Sequence, residues 1–293
     1  MTKSAVHSAS TDLGIVVPGL FVLLWSSAFV GAKLGLAYVE PLTFLGLRFA
    51  LAAAFMAGLA VIASAPWPRG ARAIVHAVIA GLLIHAVYLA GVYVAISRGL
   101  SAGVASLIVS LQPLLTAALS GLLLGERVAA RQWLGLGLGI VGTSLVLEQK
   151  IGVGGDDWSL ASVIVALVAI TLGTMHQKRF GAGMDLRTGA AVQYAASALV
   201  LLVLASGTET MQIRWTTTFI VVFAYVTFAI SFGAIMLYYV LIRRGEAARV
   251  ASVMYLVPPV TALIAWPMFG ETLGPLALVG MALAAVGVAL ASR

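Results

Sequence analysis

The sequence predicts an all-α integral membrane protein of ten transmembrane helices, built as two inverted five-helix repeats. Three observations carry that reading. Hydrophobic residues make up 62% of the chain and charged ones only 9%, with a mean hydropathy of +1.09; a soluble domain has about a quarter of its residues charged. Apolar runs of roughly 20 residues, the length that crosses a bilayer, recur along the whole chain. One segment is also written twice, as LQPLLTAALSGLLLGE at 111–126 and LVPPVTALIAWPMFGE at 256–271. In hydrocarbon only helices and closed barrels satisfy their own backbone, and no run alternates apolar and polar residues as a barrel strand does.

Apolar runs read against charges and Gly/Pro punctuation place the spans at about 14–38, 41–64, 72–97, 101–124, 129–147, 158–177, 188–206, 215–242, 247–269 and 274–291. The first could pass for a signal peptide after Lys3, but it continues through Leu34 and takes part in the repeat described next. VEP separates spans one and two, SRGL spans three and four, and GERVAAR spans four and five. Only EQKIGVGGDD is long enough for a linker. The expected organisation is a first repeat over 1–147, a linker over 148–157 and a second repeat over 158–293, in one membrane domain.

Orientation follows from Lys and Arg in the loops. With a cytoplasmic N-terminus, the inner segments hold Lys3, Arg69, Arg72, Arg127, Arg131, Lys178, Arg179, Arg187, Arg243, Arg244, Arg249 and Arg293. The outer segments hold only Arg98, Lys150 and Arg214. Both termini are therefore expected in the cytoplasm, and the chain in the inner membrane.

Self-similarity runs beyond the duplicated segment. YVAISRG (93–99) is echoed by YVLIRRG (239–245), and VAS at 104–106 by VAS at 250–252, both at an offset of 146. From Pro113 and Pro258 onward the offset is 145, through to WLGLGLGIVG (133–142) over LVGMALAAVG (278–287). WSSAFVGAKLG (25–35) lies over TLGTMHQKRFG (171–181). An odd number of helices per half inserts the second half upside down, and inverted repeats around a shared midplane site are a transporter architecture.

WSSAFVGAK in span one, LRF at 47–49 in span two and the two Pro-to-Gly-Glu helices together resemble the EamA-type, ten-helix branch of the drug/metabolite transporter superfamily. The resemblance covers essentially the whole chain. It implies two inverted halves that move small metabolites, often outward, by alternating access around a cavity between spans three, four, eight and nine. Within the family, the aromatic amino acid exporters are similar in length and in having no appended domain.

Side chains that could carry the work are few. Secondary transporters commonly keep Asp or Glu inside the membrane to hold a coupling ion. Here every acid falls in a loop or at a helix edge, which favours downhill movement. His85, mid-span, is the proton-responsive candidate, read first as a neutral, hydrogen-bonded cavity residue. His76 and His176 are expected near the cytoplasmic ends. The expected binding residues are Trp25, His85, Tyr88, Ser110, Gln112, Tyr225, Ser231, Ser252 and Tyr255, with Tyr93 in the same cluster. They suit a partly apolar pocket with few polar anchors and aromatic faces for aromatic or cationic guests. Trp67, Trp158 and Trp215 sit at span ends and belong to interfacial belts.

Structural or gating roles are expected of Lys33, Arg48, Pro113, Glu126, Pro258, Pro259 and Glu271. Lys33 is placed to snorkel. Arg48, about 10 Å into span two from Pro41, needs a partner or a wet cavity; a structural acceptor such as Glu40 or a carbonyl is preferred over a substrate carboxylate. The absence of a second midplane cation serves a phosphorylated substrate poorly. Pro113, Pro258, Pro259 and Pro267 read as helix-interior kinks. Gly125-Glu126 and Gly270-Glu271 read as helix-end caps. Gly135/Gly139 and Gly280/Ala284 form small-residue faces for close packing, within the fold or in a dimer.

No cofactor and no metal site are expected, since the chain has no Cys and no HExxH or nucleophile–base pair. The expected partners are a small-molecule substrate and membrane lipid, not nucleic acid, in a monomer or weak homodimer. The function read from the residues is export or equilibration of small organic metabolites, amino acids first. A lipid-modifying membrane enzyme, a drug or organic-cation exporter and a membrane scaffold are the alternatives.

Overall fold

Apolar runs with few interior breakers fold as helices, because each turn satisfies its own backbone inside hydrocarbon. The computed structural model describes residues 3–116, 119, 129–148, 155–181, 183–234, 237, 256–270 and 274–291. All regular structure among them is helical: α1 (Lys3–Leu36), α2 (Pro41–Ile62), α3 (Ala71–Ser97), α4 (Ala102–Thr116), α5 (Ala130–Glu148), α6 (Asp157–Phe180), α7 (Leu186–Thr208), α8 (Thr217–Ala234), α9 (Val257–Phe269) and α10 (Pro275–Ala291). Helices α1, α2, α3, α6, α7 and α8 are long and apolar enough to span a membrane, and the other four are shorter apolar helices among the described residues. Large apolar side chains such as Ile62, Leu199 and Val203 are exposed, as a lipid-facing surface requires, and so are Trp67, Trp158 and Trp215. The first helix starts at Lys3, well before the apolar run expected from residue 14.

Helix starts are fixed by short polar side chains that accept otherwise orphaned backbone donors. Ser101 accepts from the Val104 amide, Asp156 from Ser159, Asp185 from Arg187 and Thr216 from Phe219. At the end of α9, Gly270 adopts the left-handed conformation (φ 65°) and donates to Trp266 O, the glycine closure expected there. Glu126 and Glu271 lie outside the described residues.

Contacts between loops show the inversion. Arg98 after α3 pairs with Asp156 before α6, and Arg214 before α8 donates to Ala37 O after α1. Glu209 after α7 accepts from the amides of Leu42 and Thr43 and the Thr43 hydroxyl, all at 2.7 Å, so it caps α2. Glu40 returns the arrangement, accepting from the Thr210 amide and hydroxyl at 2.7 Å. Those bonds, the Thr210 hydroxyl first, hold the Glu40 carboxyl below its ordinary range. All these loops share one end of the bundle. The other end joins loops 63–70 and 181–185, where Thr188 Oγ1 donates to Pro66 O. The second half thus enters from the end where α3 of the first half leaves.

Packing repeats across the halves. Each of α2, α4 and α5 packs against its own repeat-mate, α7, α9 and α10, while α3 packs on α6 as α8 packs on α1. Ala71 and Thr217, which open α3 and α8, stand 146 residues apart. Both helices widen into π-helical turns, over Leu82–Val87 and Tyr225–Ala234, and the 146-residue offset carries the first segment into the second.

The small-residue faces meet inside one chain. A Cβ added at Gly287 of α10 would lie 2.5 Å from Gly135 O and 2.8 Å from Gly139 N of α5. One added at its repeat-mate Gly142 would lie 2.6 Å from Ala284 N. Backbone on both sides cannot yield, so Gly142→Val or Gly287→Val is expected to destabilise the bundle by ~1–3 kcal/mol or more. Gly58→Ala, with nothing within 4 Å of the added carbon, serves as control. Equal thermal midpoints of the detergent-solubilised variants would refute the packing role.

Candidate functional site

The helical run of α4 is interrupted. Its first segment, Ala102–Val109, ends at Ser110–Leu111, and the helix resumes with Gln112–Pro113 in its next turn. Proline has no N–H, so it cannot supply the helical donor to the carbonyl four residues earlier, and its ring crowds that turn. In the duplicated segment Leu256 is a turn residue, and α9 opens with Val257, Pro258 and Pro259. Pro258 and Pro259 therefore sit in a first helical turn, where a missing N–H costs nothing, and do not kink a helix interior as the sequence suggested. Pro267 does lie inside α9.

Polar side chains clamp both junctions. Gln112 Nε2 donates to Thr174 Oγ1 of α6 at 3.1 Å. Ser26 Oγ of α1 donates to Val257 O at 3.2 Å, and Thr261 Oγ1 donates to Ser26 O at 3.4 Å. Because α1 and α6 are mates, as are α4 and α9, equivalent helix pairs are tied in both cases, once side chain to side chain and once side chain to backbone. Between the junctions lies a cavity of about 20 Å³, room for about one water molecule. Its walls are Trp25 and Phe29 of α1, Tyr88 of α3, Ser106, Val109, Ser110, Gln112 and Pro113 of α4, Ile170 of α6 and Val257 of α9. A metabolite needs more room than this cavity offers.

Of the residues singled out in the sequence, Trp25, Tyr88, Ser110, Gln112 and Pro113 meet at this cavity. Ser110 Oγ donates back to Leu107 O at 2.6 Å. Ser231 is buried elsewhere, against Arg48. His85 lies in the π-helical turn of α3 between Phe49 and Tyr194, with ring centroids 5.5 and 4.6 Å away, and hydrogen-bonds Gln193. Tyr225 points away: it is 38% exposed and shares a 2.7 Å hydrogen bond with Ser27. Ser252 and Tyr255 lie outside the described residues. Lys33 places its ammonium 4.5 Å from the centre of the Phe269 ring, tying α1 to the end of α9. Near the opposite end of the bundle, His76 Nδ1 and His176 Nε2 stand 3.3 Å apart, and the His76 ring stacks on Phe180.

Arg48 is buried, 5% exposed. Its Nε and Nη2 both donate to Ser231 Oγ, at 3.3 and 3.0 Å, and Nη1 donates to the Tyr93 hydroxyl at 3.3 Å. Glu40, the acceptor preferred from the sequence, is engaged with Thr210 at the bundle end and does not reach it. The 146-residue offset maps Arg48 onto Tyr194 and Ser231 onto His85, so Arg48–Ser231 and Tyr194–His85 are one contact made twice.

Phe29, Ser106, Ile170 and Val257 were missed as lining residues because nothing distinguishes them from core. Thr174 was legible in principle, since it stands in TLGT over the WSSA of span one. If the cavity holds the substrate, Trp25→Ala and Tyr88→Ala are expected to raise its apparent KM at least ~10-fold, and Tyr225→Ala to leave it within about twofold. Equal effects in transport assays at matched expression would refute the assignment.

Comparison with known proteins gives a consistent picture. The model of the family described as "EamA-like transporter family" matches residues 12–148 and again 157–293. An uncharacterized transporter, YvbV, of Bacillus subtilis (strain 168) is 30% identical over 284 residues, covering 92% of this chain and 88% of its own. A "probable amino-acid metabolite efflux pump" of Salmonella typhimurium is 28% identical over 281 residues, covering 92% and 91%. A solved crystal structure aligns over 94% of this chain and 95% of its own with a TM-score of 0.68; at 19% identity it speaks for the fold.

Proposed function

The chain belongs to the EamA-like transporter family, a multi-pass membrane transporter, and from that premise we propose that it exports aromatic or neutral amino acids and close metabolites. The observation that carries the proposal is the cavity between the break in α4 and the start of α9, walled by Trp25 and Tyr88 with Ser110 and Gln112 as polar anchors. A broken helix suits a transport site, because irregular backbone in a membrane is tolerated where it faces protein or a wet cavity, and its free polar groups can bind a guest. The name of the Salmonella relative supports the same substrate class.

The two halves would rock about α2·α7 and α4·α9, opening the cavity to one side at a time. The bias of Lys and Arg to the loops on the terminal side supports an inner-membrane orientation with both termini in the cytoplasm. Movement runs downhill in this reading: among the described residues, no Asp or Glu lies inside a span beyond its first turn.

Purified protein in liposomes tests the proposal. Labelled phenylalanine, leucine and threonine should exchange against the same unlabelled amino acid on the far side, and an imposed pH gradient alone should not accumulate them. Absence of exchange across the panel overturns the substrate class. Accumulation driven by the pH gradient overturns the downhill mechanism.

A further inference from the structure

Arg48 is the one charged side chain among the buried described residues. It lies in the middle of α2, facing α8, inside the apolar part of the bundle. Among the described residues its hydrogen-bond partners are two neutral hydroxyls, and no carboxylate pairs with it. A cation held at this depth normally pairs with an anion or lines a wet cavity, because an uncompensated charge is costly there.

The geometry of those bonds points to what is missing. The Nε–H and Nη2–H bonds of an arginine form a parallel fork that fits the two oxygens of one carboxylate. In Arg48 both prongs converge on one oxygen, Ser231 Oγ, at 3.3 and 3.0 Å. A two-pronged donor is thus closed on a one-atom acceptor, and that acceptor carries no charge. Three of the five guanidinium N–H bonds go to described residues. Nearby on the same helix, Thr227 Oγ1 is the one buried side-chain polar atom among the described residues without a hydrogen-bond partner. Thr227 and Ser231 are four residues apart in the π-helical stretch of α8, and both are buried. On the opposite side, Tyr93 Oη takes the Nη1 bond from α3, the helix that also brings Tyr88 to the cavity wall.

We propose that the Arg48 fork is the carboxylate subsite of the transporter. The substrate carboxylate displaces Ser231 from Nε and Nη2 when the halves move apart, and the same movement joins the fork to the separate cavity along α3, from Tyr93 to Tyr88, where the rest of the molecule lies. Ser231 is a placeholder that keeps the guanidinium satisfied while the site is contracted. This rests on the amino-acid transport reading and adds to it the group recognised and the residue that recognises it. It also sets a requirement: guests need a free carboxylate, and amides or decarboxylated amines of the same shape are poor guests.

Matched ligand pairs test this. Apparent Kd values are measured from the thermal stabilisation of detergent-solubilised protein by phenylalanine and phenylalaninamide, and by leucine and leucinamide. In the wild type the acid should bind ~10- to 100-fold more tightly than the amide, the range of a hydrogen bond to a charged group. Arg48→Gln should bring the two within about threefold by weakening the acid alone, and Arg48→Lys should keep part of the preference. A structural Arg48 would instead weaken acid and amide together and leave their ratio unchanged, which overturns the assignment. Should Arg48→Gln fail to fold, Ser231→Ala leaves the fork intact and unblocked, so the acid preference should equal or exceed that of the wild type. Loss of the preference in Ser231→Ala also overturns it. Exchange of phenylalanine in liposomes with an unchanged acid-to-amide ratio in Arg48→Gln sinks the subsite alone; no binding and no exchange of any amino acid sinks the substrate class as well.

Discussion

An amide or carbonyl left unpaired in hydrocarbon costs several kcal/mol, and this constraint decides where the chain can depart from a regular helix. It does so at Ser110–Leu111 and in the π-helical turns of α3 and α8. The break in α4 and the start of α9 meet at the cavity, and the π-helical turns carry His85 and Ser231, both held by side chains of neighbouring helices. Irregular backbone has been collected along the line where the halves meet. What the membrane forbids elsewhere becomes the material of the site.

Much of this was legible in the sequence for physical reasons. Apolar runs and loop charges locate spans because a bilayer has a fixed thickness, and the offsets of 145 and 146 locate the repeat because the halves share one fold. Trp25, Tyr88 and Gln112 could be read as a cluster because polar or aromatic groups deep in a span need a reason to be there. Other features escaped for equally physical reasons. Pro258 and Pro259 looked like interior kinks, since periodicity does not reveal that a helix begins at Val257. Tyr225 looked like a lining residue, since depth along a helix does not fix which face it occupies; it turned outward to Ser27. Glu40 looked like the partner of Arg48 because the two are close in sequence, but its carboxylate is held at the end of the bundle by Thr210.

The pairing of Arg48 with Ser231 and of Tyr194 with His85 shows how far the halves have diverged around a common plan. Backbone placement survives in both, while the chemistry differs: a guanidinium and a hydroxyl on one side, a phenol ring and an imidazole on the other. Shape is retained because α2 and α7 pack on one another along their length. Side chains at the line of contact differ, and there the first half carries a cation where the second carries Tyr194.

Helices α2, α4 and α5 each lie against their own counterpart, the signature of an isologous contact, in which one surface meets a second copy of itself. A pair of separate, identical five-helix chains joined in this way would bring every charge to its axis twice. Such an assembly can hold zero or two guanidinium groups beside the site, never one. Joining the copies end to end and letting them differ lifts that parity rule, and a single Arg48 facing Tyr194's half of the bundle is an arrangement closed to any pair of identical chains.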